Sequence, residues 1–382
     1  MRRWISLLYV VMPMVATAAA PDPVAGGWAV PEIRYESNAQ FLKLPFNMNF
    51  GDPVAVTVSP VNGDIYVANR GNVSGPAYAP QASQILVFDK RGRFRHELAP
   101  GNNAASYVHG IRADREGFVW VADKGSDMVV KFDPRTGHAV MIFGRRPESS
   151  EPSGQGPEYG IGDNGRPGKI PPPLANMFRA PTDVSWSADG RAYVSDGYNN
   201  SRVAVFDRNG APLFSFGEFG SGPGQFSTVH SVAVAPDGRV YIADRGNNRI
   251  QIFSADGKYL SEVTLGKLPV PAGYGGQEIF GRTITDRMRN APWNLCITPG
   301  PNAVLYAGSG SPGRIFKLTL DGQVIGAFGQ TGKTARDFGW IHGMACPSEN
   351  ELFVADEPNW SVKRLTLHPD REAEARALAA QR

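Results

Sequence analysis

The chain has 382 residues, of which 42% are hydrophobic and 20% charged, and a formal net charge of +3. So even a balance argues against nucleic acid or a membrane surface as partner. With 44 glycines and 31 prolines, the composition favours many turns and short strands over long helices.

The chain opens with "MRRWISLLYVVMPMVATAAA". Arg2 and Arg3 supply a positive end, Trp4–Val15 an apolar run, and Ala16–Ala20 a small-residue cleavage region, so residues 1–20 read as a signal peptide. The apolar run is too short to span a bilayer. The mature protein is expected to be soluble and exported, either periplasmic or secreted, with a net charge near +1 once Arg2 and Arg3 are removed.

From residue 55 onward one frame recurs: a strand, a tight turn, and a second strand that ends in a small or acidic residue 14 positions after the first begins. The frame fits Ala55 to Asn69, His109 to Asp123, Thr182 to Asp196 and His230 to Asp244, and more loosely Asn294 to Gly308 and His342 to Asp356. Five copies continue into a third strand, such as "QILVFD" and "RIQIFS", and the sixth into "VKRLTL". Six such modules predict an all-β fold, a six-bladed β-propeller over residues 21–368. Radial packing of the blades protects the edges that isolated sheets would expose. The last copy has no fourth strand of its own, and the early stretch Glu32–Leu44 is positioned to supply it and close the ring. Residues 369–382 read as a solvated helical tail.

Two segments, Gly144–Asn176 and Gly266–Ala291, exceed ordinary loop length and fit either mouth-forming loops or surface insertions. The cysteines, Cys296 and Cys346, match no zinc-site spacing. Both lie mid-strand, which favours two separate buried thiols over a bridge.

Histidine occupies the first frame position in copies two, four and six; Ala55, Thr182 and Asn294 occupy it in copies one, three and five. Alternate blades of a six-fold ring are a third of a turn apart, so His109, His230 and His342 are expected to converge on the axis at one depth. Three imidazoles with an open fourth position are a catalytic zinc arrangement. Asp123, Asp244 and Asp356 end the matching second strands, but Asp196 does so in a copy without histidine, which favours a turn-capping role. Just past the strand ends stand Arg70, Tyr198 and Arg245, at the same mouth as the histidines. A metal, a phenol and two guanidiniums facing one pocket suit proton transfer on a carboxylate-bearing substrate.

The stretches "VHGIRADREGFVWVAD", "PTDVSWSADGRAYVSDGYNNSRVAVF" and "PGQFSTVHSVAVAPDGRVYIADRGNNRIQIF" resemble peptidyl-α-hydroxyglycine α-amidating lyases, which are built from NHL-type repeats. The resemblance covers roughly residues 50–367. It implies cleavage of a carbinolamide C–N bond to an amide and glyoxylate, in a small-molecule or peptide α-hydroxyglycine-like substrate. It also implies Zn2+ on His109, His230 and His342, Tyr198 as the phenol that takes the substrate hydroxyl proton, and Arg70 and Arg245 as active-site arginines. Gly343 stands where the family carries a calcium-binding aspartate, so calcium is not expected. Two other readings are a propeller hydrolase of the lactonase type, whose calcium ligands are Glu, Asp and Asn, and a non-enzymatic NHL-repeat binding scaffold.

Overall fold

A computed structural model describes residues 30–70, 83–102, 105–145, 174–268, 278–279, 282–283 and 289–380. The signal-peptide reading and most of the two long segments fall outside these residues. Six four-stranded antiparallel sheets run from Arg34 to His368. The first strands of the six blades are Pro53–Val58, Val108–Ala113, Asp183–Trp186, Val229–Val234, Pro292–Ile297 and Ile341–Ser348. Each touches the first strands of the blades before and after it, and the ring closes between the first and the sixth. The fold is the expected six-bladed β-propeller.

The sequence builds each blade by burial. Second strands such as Ile65–Asn69 and Val240–Asp244 are buried along their whole length and read as continuous apolar runs. Fourth strands such as Phe94–Glu97 and Tyr259–Val263 lie at the rim with exposed residues among half-buried ones. Side chains of neighbouring blades share one core: Tyr193, Val203 and Val205 of the third pack with Val232, Val240 and Ile242 of the fourth.

Arg34–Asn38 completes the sixth blade, antiparallel to Ser361–His368 with Tyr35 opposite Leu367. The ring is thus closed by the beginning and end of the propeller, as the missing fourth strand implied. The same entering segment covers the fifth blade. Ile33 donates to the carbonyl of Ala327 at 2.8 Å, and Ala327 donates to that of Pro31 at 2.9 Å. The rim strand Val324–Phe328 is therefore wholly buried, unlike its counterparts.

Two expectations change. The tail helix, Arg371–Ala380, is not simply solvated. Glu374 is buried and accepts from Lys317 Nζ at 2.7 Å, and Lys317 itself is 1% exposed. A buried ammonium needs a carboxylate, and the helix delivers one. The cysteines are not separate thiols: Cys296 and Cys346 form a disulfide across a Cα–Cα distance of 6.0 Å. They sit on the adjacent first strands of blades five and six, and their mid-strand burial, which suggested isolation, places both in the one interface between those blades.

Candidate metal centre and mouth

The histidines owe their direction to a repeated irregularity. In blades two, four and six the first strand bulges between Val108 and Gly110, Val229 and Ser231, and Ile341 and Gly343. His109, His230 and His342 are the bulged residues, turned inward out of the ladder. Blades one and five bulge as well, around Val54 and Trp293. Their hairpins are longer: the turn closes from Ser59 to Asp64 and from Thr298 to Val304, against Asp114 to Phe118 in blade two. The structural counterparts of the histidines there are therefore Val54 and Trp293, one residue before Ala55 and Asn294 of the sequence frame. Thr182 holds the place in blade three, as expected.

This offset matters because each histidine holds the counterpart in the next blade. The Nδ1 atom of His109 lies 2.9 Å from the carbonyl oxygen of Thr182, that of His230 2.5 Å from Trp293 O, and that of His342 2.8 Å from Val54 O. A carbonyl only accepts, so each Nδ1 carries the proton and each Nε2 presents a lone pair. One nitrogen from each ring lies within 4.8 Å of the others. Burial pushes all three imidazoles well below their ordinary value; neighbouring histidines push His109 and His230 further, and Arg70 or Arg245 pushes each of the three. Three neutral, oriented imidazoles form a donor set suited to a divalent transition metal.

Tyr198 reaches the same point from blade three. Its hydroxyl lies 3.3 Å from His109 Nε2 and 3.5 Å from His230 Nε2. Gly197 lets the chain pass this close, since a Cβ there would sit 1.7 Å from the Val229 carbonyl oxygen. Trp293 closes the far side, 5.1 Å from His230 between ring centroids.

Arg245 is at the mouth, its guanidinium 4.7 Å from the Trp293 ring and 5.5 Å from that of Tyr198. Arg70 is also there but turned elsewhere. Its Nε donates to Val108 O at 2.7 Å, its Nη1 to Glu357 at 3.0 Å, and its guanidinium stacks 4.1 Å over Tyr107. Glu357 and Lys124 escaped the sequence reading. The Glu357 carboxylate lies 3.8 Å from His342 Nε2, and Lys124 Nζ lies 3.8 Å over the Tyr198 ring. Both were findable, because they follow Asp356 and Asp123 as Arg70 follows Asn69 and Arg245 follows Asp244. Burial raises the Glu357 carboxyl against the pull of Arg70, and lowers the Lys124 ammonium.

The strand-end aspartates cap turns. Asp123 accepts from the backbone of Ser106 and Tyr107, and Asp356 from that of Gly339 and Trp340. Asp244 accepts from Ser227 N and Arg249. Below the histidines, Arg112 crosses the axis, bonding both oxygens of Asp183 at 2.9 and 2.7 Å and the carbonyl of Leu295 at 2.8 Å.

The NHL repeat family model matches residues 226–253. The chain is 29% identical over 309 residues to the peptidyl-glycine alpha-amidating monooxygenase of Mus musculus, an alignment covering 77% of this chain and 27% of that protein. It therefore spans about a quarter of the length of that relative. It is 32% identical over 151 residues to a probable peptidyl-alpha-hydroxyglycine alpha-amidating lyase of Caenorhabditis elegans, covering 38% of this chain and 37% of that one. Among solved structures, a streptogramin B lyase superposes with a TM-score of 0.53 at 16% identity over 88% of this chain and 98% of its own, a likeness of fold. The chain is thus a six-bladed β-propeller of the NHL-repeat type, related in sequence to the peptidyl-α-hydroxyglycine α-amidating lyases.

Proposed function

We propose that this protein is an exported zinc-dependent lyase that cleaves the C–N bond of an α-hydroxyglycine-type carbinolamide, releasing an amide and glyoxylate. The observation that carries the reading is the convergence of three Nε2 lone pairs and one phenol oxygen at the mouth of the propeller. His109, His230 and His342 would hold the zinc, which when bound acts as a Lewis acid toward the substrate hydroxyl.

Tyr198 takes the hydroxyl proton. As it leaves, the C–O bond becomes a carbonyl, the C–N bond breaks, and the electron pair passes to nitrogen, which recovers a proton from Tyr198. Lys124 and Arg245, facing the Tyr198 ring, offset the negative charge that the phenol oxygen carries before it takes that proton and again after it returns it. Trp293 and the buried imidazoles keep the seat partly dry, which strengthens each of these interactions. The disulfide fits the oxidising compartment that export implies.

Calcium does not fit the residues present. A Cβ at Gly343 would meet Ala55 Cα at 2.5 Å and Val54 O at 2.6 Å, leaving no room for an aspartate, and the axis below the histidines holds the Arg112 guanidinium.

The test is release of glyoxylate from an N-acyl-α-hydroxyglycine by purified, zinc-loaded protein. Release that follows the zinc content supports the reading; no release from any such compound overturns it.

A further inference from the structure

Four charged side chains surround the histidines, and they form two unlike pairs. Arg70 and Glu357 pair at 3.0 Å, and Arg70 is 3% exposed, with its Nε on Val108 O and its Nη1 also on the Tyr107 hydroxyl. Its charge is spent inside the protein. Lys124 and Arg245 differ. Among the described residues neither side chain has a carboxylate within salt-bridge distance, Glu357 acting on both only from further off; each lies against aromatic faces, Tyr107 and Tyr198 for Lys124, and Tyr198 and Trp293 for Arg245. Both are half-buried. Cations drawn partly out of water normally gain an anionic partner there. Aromatic faces replace only part of the lost hydration.

We infer that Lys124 and Arg245, on the face of Tyr198, form the seat for the carboxylate of the ligand, and that Glu357 keeps Arg70 out of it. Lys124 is then a specificity-determining residue. The site selects small α-hydroxy acids in their ionised form, with the α-oxygen toward the histidines and the carboxylate toward Lys124. Glu357, beside His342, repels a second carboxylate at the opposite side, so the seat takes one anionic group and a neutral or hydrogen-bond-donating remainder. The ligand's identity as a carbinolamide rests on the lyase reading; the location of its carboxylate does not.

Titration calorimetry of the metal-loaded protein with glycolate, and with its neutral isostere glycolamide, tests the seat without turnover. Glycolate should bind about tenfold or more tightly than glycolamide, and more weakly as salt rises. Lys124→Met should weaken glycolate by about tenfold, Lys124→Arg should restore most of the loss, and Arg70→Lys should change it by less than about threefold. Lys124→Gln serves if the methionine variant does not fold, with metal content and circular dichroism checking each protein. The inference is overturned if the parent binds glycolate no better than glycolamide, if Lys124→Met and Lys124→Gln both bind it like the parent, or if Arg70→Lys loses as much as Lys124→Met. A protein that seats glycolate through Lys124 yet releases no glyoxylate would sink the lyase reading and leave the seat standing.

Discussion

The Nδ1–H of His109 donates to the carbonyl oxygen of Thr182, 2.9 Å away on the next blade. Repeated at His230 and His342, the same contact fixes three tautomers and aims three lone pairs inward. Preparation of this kind reduces the ordering that metal binding must otherwise supply.

The protein should therefore carry close to one divalent ion per chain, measured by elemental analysis after dialysis. His109→Ala, His230→Ala and His342→Ala should each lower metal affinity by roughly a hundredfold or more, since two ligands remain of three. The imidazoles titrate well below 6.5, so protons should begin to displace the ion only below that pH. Full retention of metal in all three variants would refute the centre.

Tyr198→Phe keeps the ring that Lys124 covers and removes only the hydroxyl. It should retain fold and metal while turnover falls by about a hundredfold or more, the scale of a lost acid–base group. Glyoxylate release at saturating substrate gives the answer; turnover equal to the parent would remove the phenol from the reaction.

Reducing the Cys296–Cys346 bond, or replacing both residues with alanine, should lower stability without unfolding the protein at room temperature. The bond joins residues 50 apart, and closing a loop of that length in the unfolded chain is worth about 4 kcal/mol at most. Guanidinium melts with and without reductant measure the effect. Coincident melts would show that the bond constrains nothing.

Asp127 is buried with its carboxyl pushed up to about 6 by desolvation, against the Ala180 N–H that donates to it at 2.6 Å. Its folded value lies above the unfolded 3.8, so its contribution to stability is complete below 3.8 and is lost as pH rises through about 6. Asp127→Asn keeps the acceptor and suits the backbone φ of 57°. The variant should be more stable than the parent by roughly 1–3 kcal/mol at pH 8, with the gap closing toward pH 4. A gap that does not depend on pH would place the strain elsewhere.

The blade number, the closing strand and the alternation of His109, His230 and His342 were legible in the sequence, because strand periodicity and turn chemistry are local and the repeat copied them six times. The frame went astray at Ala55 and Asn294, where turns longer by one and two residues shifted the true counterparts to Val54 and Trp293. Turn length changes register without leaving a mark in strand composition. Lys124 and Glu357 occupied the right positions and were passed over, since a charged residue after a strand end looks like ordinary surface. The pairing of Glu357 with Arg70, the bond between Cys296 and Cys346, and the docking of Glu374 on Lys317 join residues that are 287, 50 and 57 positions apart. Such pairs meet only because the ring closes and adjacent blades share one core, so tertiary structure alone decided which charges were spent and which remained for a ligand.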